Sequence, residues 1–289
     1  MEGCLPIAQI PAALCRELRR FFSDIDDTLT TGGLLTPESF AGLWQLQGAG
    51  IEVVVVTGRP AGWCDHIARM WPVAAVVGEN GAFYYAYDRS QRRMQRRYLI
   101  EERERLEGRR RLERLRERVL REVPRCRIAA DQPFRLTDLA FDFCEDVVPP
   151  LEEAEVERIC RIAADEGASW KISSIHVNCW YGRFDKVSGV RRFLADRGWE
   201  LDSREVQGSS TFIGDSPNDE PLFAALEHSI AVANLRTFLG RLQHLPAYIT
   251  HAEAAAGFSE AVRTILGRRA DGEAETSASQ PRGPTPSGG

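Results

Sequence analysis

The segment Phe21-Phe22-Ser23-Asp24-Ile25-Asp26-Asp27-Thr28-Leu29-Thr30 runs from apolar residues straight into acids. Read as a strand and the turn after it, its period of two points Asp24 and Asp26 to the same side. Two such carboxylates repel each other unless a cation sits between them. The ligand crevice of an open α/β sheet lies outside the carboxyl ends of its strands, which is where these acids fall. Taken alone, an Asp-x-Asp pair is more often a solvated acidic turn.

Three further segments change that weighing. Thr57-Gly58-Arg59 follows a β-branched run, Gly214-Asp215-Ser216-Pro217-Asn218-Asp219 follows Thr211-Phe212-Ile213, and Lys186 opens a helical stretch. Singly they read as a helix cap, an ordinary turn and a surface lysine. A lysine at a helix start meets the unfavourable end of the helix dipole. Beside a phosphoryl group and several carboxylates the sign of that argument reverses.

The elements that must carry these residues alternate. Ile51–Val56, Val73–Val77 and Thr211–Ile213 are apolar runs typical of parallel strands covered on both faces. Pro11–Arg19, Pro37–Gln47, Gly62–Met70, Val187–Asp196 and Glu220–Leu226 have helical patterns. Strands alternating with helices predict a doubly wound α/β fold, a Rossmann-like parallel sheet. The stretch 87–184 breaks the rhythm. It opens with an arginine-dense helical pattern, 89–121, holding fourteen arginines and six glutamates. Strand-like Phe134–Phe143, a helix over Pro149–Ala164 and strand-like Ser169–Trp180 follow, as in an inserted α+β domain. The expected organisation is a core of residues 1–86 plus 185–267, an insertion over 87–184 and a disordered tail over 268–289.

With its residues placed this way, the chain resembles the haloacid dehalogenase superfamily of phosphohydrolases over residues 18 to 266. Asp24-x-Asp26-x-Thr28 is similar to the first motif of that family, Thr57 to the second, Lys186 to the third, and Gly214-Asp215-x-x-Asn218-Asp219 to the fourth. The insertion, with Gly78-Glu79-Asn80-Gly81-Ala82, resembles the Cof-type branch with an α/β cap, the neighbourhood of sucrose-phosphate and mannosyl-phosphoglycerate phosphatases. Asp27 departs from the pattern, glycine being commoner there.

The resemblance implies roles. Asp24 is the expected nucleophile, forming an aspartyl-phosphate that divides the reaction into two steps. Asp26 is the expected acid and then base. Thr57, Gly58, Arg59, Asn218 and Lys186 would bind the phosphoryl group. One Mg²⁺ would be held by Asp24, Asp215 and the backbone carbonyl of Asp26, with Asp219 orienting a metal-bound water. Mg²⁺ favours such a set of few protein ligands with water and phosphate completing it. In the cap, His176, Asn178, Trp180 and Arg183 are candidates for the leaving group, alternate residues of one strand sharing a face. His66 and Cys64 read as structural.

The implied activity is Mg²⁺-dependent hydrolysis of a phosphorylated sugar or related small metabolite. A sugar phosphomutase using the same aspartyl-phosphate is the alternative, decided by how well the cap excludes water. A non-catalytic phospho-ligand binder is a third reading, but it has no need for Asp24, Asp26, Lys186 and Asp215 together.

Composition excludes other classes. With 289 residues, 43% hydrophobic and 27% charged, the chain can bury a substantial core. A net charge of −5 gives no sign of a nucleic-acid partner. Seven scattered cysteines without a C-x-x-C pair suit a reducing, cytoplasmic setting without structural zinc. No apolar run approaches the roughly 20 residues that span a bilayer, so no membrane partner is expected. Among the 37 basic residues only Lys171 and Lys186 are lysines. The arginine-dense stretch reads as a solvated, ion-paired helix or as a patch that attracts anionic substrate.

Overall fold

The computed structural model describes residues 3–173 and 175–278. Its centre is a nine-stranded sheet in the order Leu5–Pro6, Tyr248–Ile249, Ile230–Ala231, Ser210–Gly214, Arg20–Ser23, Glu52–Val56, Ala75–Gly78, Phe83–Asp88, Arg93–Tyr98. The first seven run parallel and the last two close the sheet as an antiparallel hairpin. Alternation along the strands splits the core in two. Phe21, Val53, Val55 and Val76 pack with Leu43, Ile67, Phe258 and Val262 on one face. Phe22, Val54, Val56 and Val77 pack with Val190, Phe193 and Leu222 on the other. Helices cover both faces because each face of such a strand is apolar.

The sheet order places the strand Arg20–Ser23 between Ser210–Gly214 and Glu52–Val56. The three turns that carry Asp24, Asp215 and Thr57 therefore leave neighbouring strand ends on one edge.

The inserted domain is a four-stranded antiparallel sheet, Ser169–Ile172, His176–Trp180, Asp138–Asp142, Arg127–Ile128. Helices Glu102–Glu122 and Glu153–Asp165 bury Leu112, Leu115, Ile159 and Ile162 against Leu139, Phe141, Val177 and Cys179. The opposite face of that sheet, with Asp138, His176 and Asn178, looks toward the core.

Three sequence expectations change. The arginine-dense stretch is not one helix: Arg93–Tyr98 is an edge strand of the large sheet, hydrogen-bonded to Phe83–Asp88. The chain thus leaves the core sheet only after Tyr98, not at residue 87. Arginine density hid the strand, whose Met94 and Tyr98 pack on the core. Ser169–Trp180 is a hairpin of two strands rather than one. The disorder expected from residue 268 does not hold there, since the last helix, Ala254–Ala278, passes through Arg268 and Arg269. Those arginines donate to the carbonyls of Ala8, Cys15 and Leu18, anchoring a helix that then extends residue by residue. The rest of the expected tail, 279–289, lies outside the described residues. Among the described residues no helix is long and apolar enough to cross a membrane.

Candidate active site

Asp24 follows the last residue of its strand, its amide donating to the Ile213 carbonyl at 3.0 Å. The turn then folds tightly on Ile25, whose carbonyl accepts from the amides of Thr28, Leu29 and Thr30. Asp27 sits at φ +53°, in the left-handed region. Glycine adopts that conformation freely and aspartate tolerates it, so the departure at Asp27 leaves the turn intact.

Lys186 is the first residue of the helix Lys186–Ala195, which the Asp185 side chain caps at the Ser188 amide, 2.7 Å. Its Nζ lies 3.0 Å from Asp24 Oδ1 and 2.7 Å from Asp219 Oδ1, fully enclosed. Burial by itself would lower the ammonium's pKa; the facing carboxylates of Asp219 and Asp24 outweigh it and hold the charge. Gly81 makes this approach possible: a Cβ there would lie 1.8 Å from the Asp185 carbonyl oxygen.

Asp219 is buried, and its second oxygen accepts from the amides of Asp215 (3.0 Å) and Ser216 (3.3 Å). It shapes the loop that presents Asp215. Gly214 has to be small, because a Cβ would lie 2.4 Å from that oxygen.

Oxygens of Asp24, Asp215 and Asp219 lie within 4.8 Å of one another, close enough to share a cation. Burial pushes Asp24 up to about 7 against the opposing pull of Lys186, with Asp219 and Asp26 adding repulsion. Asp215 is pushed well up by burial and by Asp219 and Asp24. Three enclosed carboxylates facing one ammonium leave excess negative charge, and a hard divalent ion with oxygen ligands fits it. Asp219 spends one oxygen on Lys186 and the other on two amides. That makes Asp24 and Asp215 the better donors.

The cavity over these groups is lined from the core by Asp24, Asp26, Gly58, Arg59, Lys186, Asp215, Ser216 and Asn218. The insertion contributes Arg135, Ser173, Ile175, His176 and Asn178. The space it leaves for water is small, about 30 Å³. Core and insertion are closed on each other.

Asp26 is held by Arg59, whose Nε lies 3.1 and 3.0 Å from the two carboxylate oxygens and whose Nη2 lies 2.8 Å from Oδ1. Thr57 is buried just behind this lining. Its hydroxyl oxygen accepts from the Arg59 amide at 3.0 Å, leaving its own hydrogen to donate. Of the strand candidates in the insertion, His176 and Asn178 face the cavity. Trp180 shares their parity but stacks on Phe184 (5.6 Å between centroids), and Arg183 is exposed outside the cavity. His66 is exposed, and the Cys64 thiol is pushed up by burial, so neither takes part.

The arginine helix lies on the far face of the inserted sheet. Several arginines are paired locally, Arg116 with Glu113 and Arg118 with Glu122, Asp165 and Glu166. A sheet's thickness of about 10 Å separates that face from the cavity. The same distance is about one Debye length at physiological salt, so steering from there is weak.

Sequence reading missed three residues. Arg135 donates to Asp131 and Asp138 and, across the domain boundary, to the Gly58 carbonyl at 3.0 Å. Its signal was the spacing Asp131, Arg135, Asp138, suited to local ion pairing. Glu145 lies 3.3 Å from Arg59 Nη1. Glu79 is fully buried in the core yet accepts from the insertion: Leu136 N (2.8 Å), Thr137 N (2.6 Å) and Thr137 Oγ1 (2.5 Å), besides Ala61 N at 3.0 Å. Burial and the charge of Asp138 push its pKa up to about 7 against those donors. No sequence signal points to Glu145, and although Glu79 stands in the Gly78–Ala82 segment, its contacts with the insertion come from a distant part of the chain.

Comparison with known proteins agrees with this arrangement. Residues 21–104, which include Asp24, Asp26 and Thr57, match the family model of haloacid dehalogenase-like hydrolases. That segment is similar to the haloacid dehalogenase-like hydrolases. A search of curated proteins finds no match by sequence. Among solved structures, the chain is similar to a Thermoplasma acidophilum protein, 0175 (TM-score 0.62, 16% identity, 86% of this chain and 98% of that one). It is also similar to the phosphatase BT1666 of Bacteroides thetaiotaomicron (0.57, 16%, 93% and 99%). The sucrose-phosphatase of Synechocystis is a third such structure (0.55, 14%, 87% and 98%). At these identities the likeness concerns the fold: a core with an inserted cap.

Proposed function

We propose that the chain is a Mg²⁺-dependent phosphomonoester hydrolase acting on a phosphorylated sugar or a related small metabolite. The observation that carries this is the enclosed group of Asp24, Lys186, Asp215 and Asp219 beside Asp26, at the strand ends and under a polar cap face. One of the structural neighbours, the sucrose-phosphatase of Synechocystis, is in complex with sucrose and phosphate, and the His176–Asn178 face is chemically suited to hydroxyl groups.

Phosphoryl transfer is catalysed mainly by positioning and charge neutralisation. A bound Mg²⁺, held by Asp24, Asp215 and the Asp26 carbonyl, would neutralise charge on the phosphoryl oxygens. Lys186, Thr57, Asn218 and the Gly58–Arg59 backbone hold that group. The Asp24 carboxylate forms the new bond to phosphorus as the ester oxygen leaves, taking the proton that Asp26 donates. Asp26 then removes a proton from water, which attacks phosphorus and restores the Asp24 carboxylate. Because the cavity leaves only about 30 Å³ for water, substrate enters by separation of cap and core.

The same tight closure keeps a phosphomutase in view, since poor access for water favours return of the phosphoryl group to a second hydroxyl. A panel of phosphorylated metabolites, assayed with Mg²⁺ or EDTA for free phosphate and for isomerised product, separates the two. Turnover that survives both EDTA and Asp24→Asn refutes the mechanism.

A further inference from the structure

We propose that Glu145 of the cap is a positioning residue that acts through Arg59 to align Asp26, so that proton transfer is enabled only when the cap is closed. The inference rests on the reading of Asp26 as the acid–base.

The geometry is a chain of four side chains crossing the domain boundary. Arg59 uses Nε and Nη2 on Asp26, and its plane lies over the Trp63 ring, 4.5 Å from the centroid. Three of the guanidinium's surroundings therefore belong to the core. The remaining nitrogen, Nη1, meets Glu145 Oε1 at 3.3 Å, with Asp131 Oδ2 farther off at 3.9 Å. Glu145 Oε2 in turn lies 2.9 Å from His176 Nε2, on the side of the cavity where the leaving group must sit.

The cap presents Glu145 rigidly. Asp142 accepts from the amides of Cys144 (2.9 Å), Glu145 (2.8 Å) and Asp146 (2.8 Å), folding the turn that carries it. Asp142 itself pairs in register with His176 in the cap sheet. His176 and Arg59 hold the Glu145 carboxyl down to about 2, so its contact with Arg59 joins opposite charges.

Asp26 needs such help. It sits in a turn past the strand end, its side chain 22% exposed, and the Arg59 fork is its recorded ion pair. Lifting the cap withdraws Glu145 from Nη1 and leaves the guanidinium free to rock over Trp63, carrying Asp26 with it. Displacements of about 1 Å in a reacting group can lower a rate roughly 10²-fold.

The test is Glu145→Ala in the full chain, with Glu145→Gln as the variant that retains an oxygen for Nη1. Steady-state rates are measured on an alkyl ester, a hexose 6-phosphate. The pre-steady-state burst is measured on p-nitrophenyl phosphate, whose leaving group needs no proton. For Glu145→Ala we expect kcat on the alkyl ester to fall roughly 10- to 100-fold, part of what a general acid contributes. The aryl burst rate, inhibition by inorganic phosphate and Tm stay near wild type, and Glu145→Gln recovers part of the alkyl rate. Equal losses on both esters, or none on either, overturn the proposal. Failure of the underlying reading looks different: Asp26→Asn would then match wild type on the alkyl ester, or wild type would release no phosphate from either ester.

Discussion

Glu79 offers the sharpest test of how the cap is fastened to the core. In Glu79→Gln the side chain keeps its size, but one oxygen becomes an amide nitrogen. If the remaining oxygen keeps Ala61 N and Leu136 N, the new NH₂ faces the Thr137 amide, donor against donor. A buried donor left unsatisfied costs about 1–3 kcal/mol, and hydrogen bonds to a charged acceptor contribute about 1.5–3 kcal/mol each. The Thr137 hydroxyl can rotate to accept from the new amide, and loss of a buried charge near Asp138 offsets part of the remainder. The net expectation at pH 8, where Glu79 is ionised, is a loss of about 2 kcal/mol. At roughly 2–4 °C per kcal/mol, Tm falls by about 4–8 °C. Circular dichroism melts measure this, and limited proteolysis shows where the structure loosened. New cleavage belongs between residues 131 and 138, the segment that Glu79 and the Arg135–Gly58 contact hold to the core. A Tm within about 1 °C of wild type, or cleavage confined to other segments, refutes the reasoning.

Other expectations follow from the same structure. Asp24→Asn abolishes turnover while circular dichroism shows an unchanged fold, because the substitution is isosteric and still accepts from Lys186. Mg²⁺ raises Tm in proportion to RT ln(1 + [Mg²⁺]/Kd), about 2.7 kcal/mol at 100 Kd, and Asp215→Asn removes most of the increase in a thermal-shift titration. For Glu145 the sign is that of a carboxyl with a depressed pKa. Its contribution is complete above the unfolded value near 4.5, and it is lost as pH falls toward about 2. The ratio of wild-type to Glu145→Gln kcat/KM should therefore be flat between pH 5 and 8. Burial pushes the thiols of Cys15 and Cys160 up to about 11 and Cys126 up to about 12, and Cys64 and Cys179 well above their ordinary value. A disulfide reagent at pH 8 should label Cys4 and Cys144 first and reach the other five only on unfolding.

Much of the architecture was legible in the sequence because it is written locally. β-branched runs such as Val53–Val56 read as parallel strands, and glycine and acids at their ends read as turns. Even the departure at Asp27 has a local reason, a left-handed turn position. The Asp24, Asp26, Lys186 and Asp215 set was legible for the same reason: each residue sits beside a strand end or helix start that its own neighbours specify. The strand Arg93–Tyr98 was not legible, since its arginines satisfy a helical charge pattern equally well and only pairing with Phe83–Asp88 decides the matter.

Which residues meet across the domain boundary depends on distance between segments far apart in the chain, and no local pattern encodes that. Packing turned His176 and Asn178 inward and left Arg183 outside. It placed the arginine helix on the far face of the cap sheet, which favours the reading as a solvated, ion-paired helix over a patch that attracts substrate. It also brought Glu79 to Thr137 and Glu145 to Arg59. The sequence alone thus determined a fold class and a set of residues suited to phosphoryl-transfer chemistry. The tertiary structure decided how the cap is held over those residues and which of its charges reach Arg59 beside Asp26.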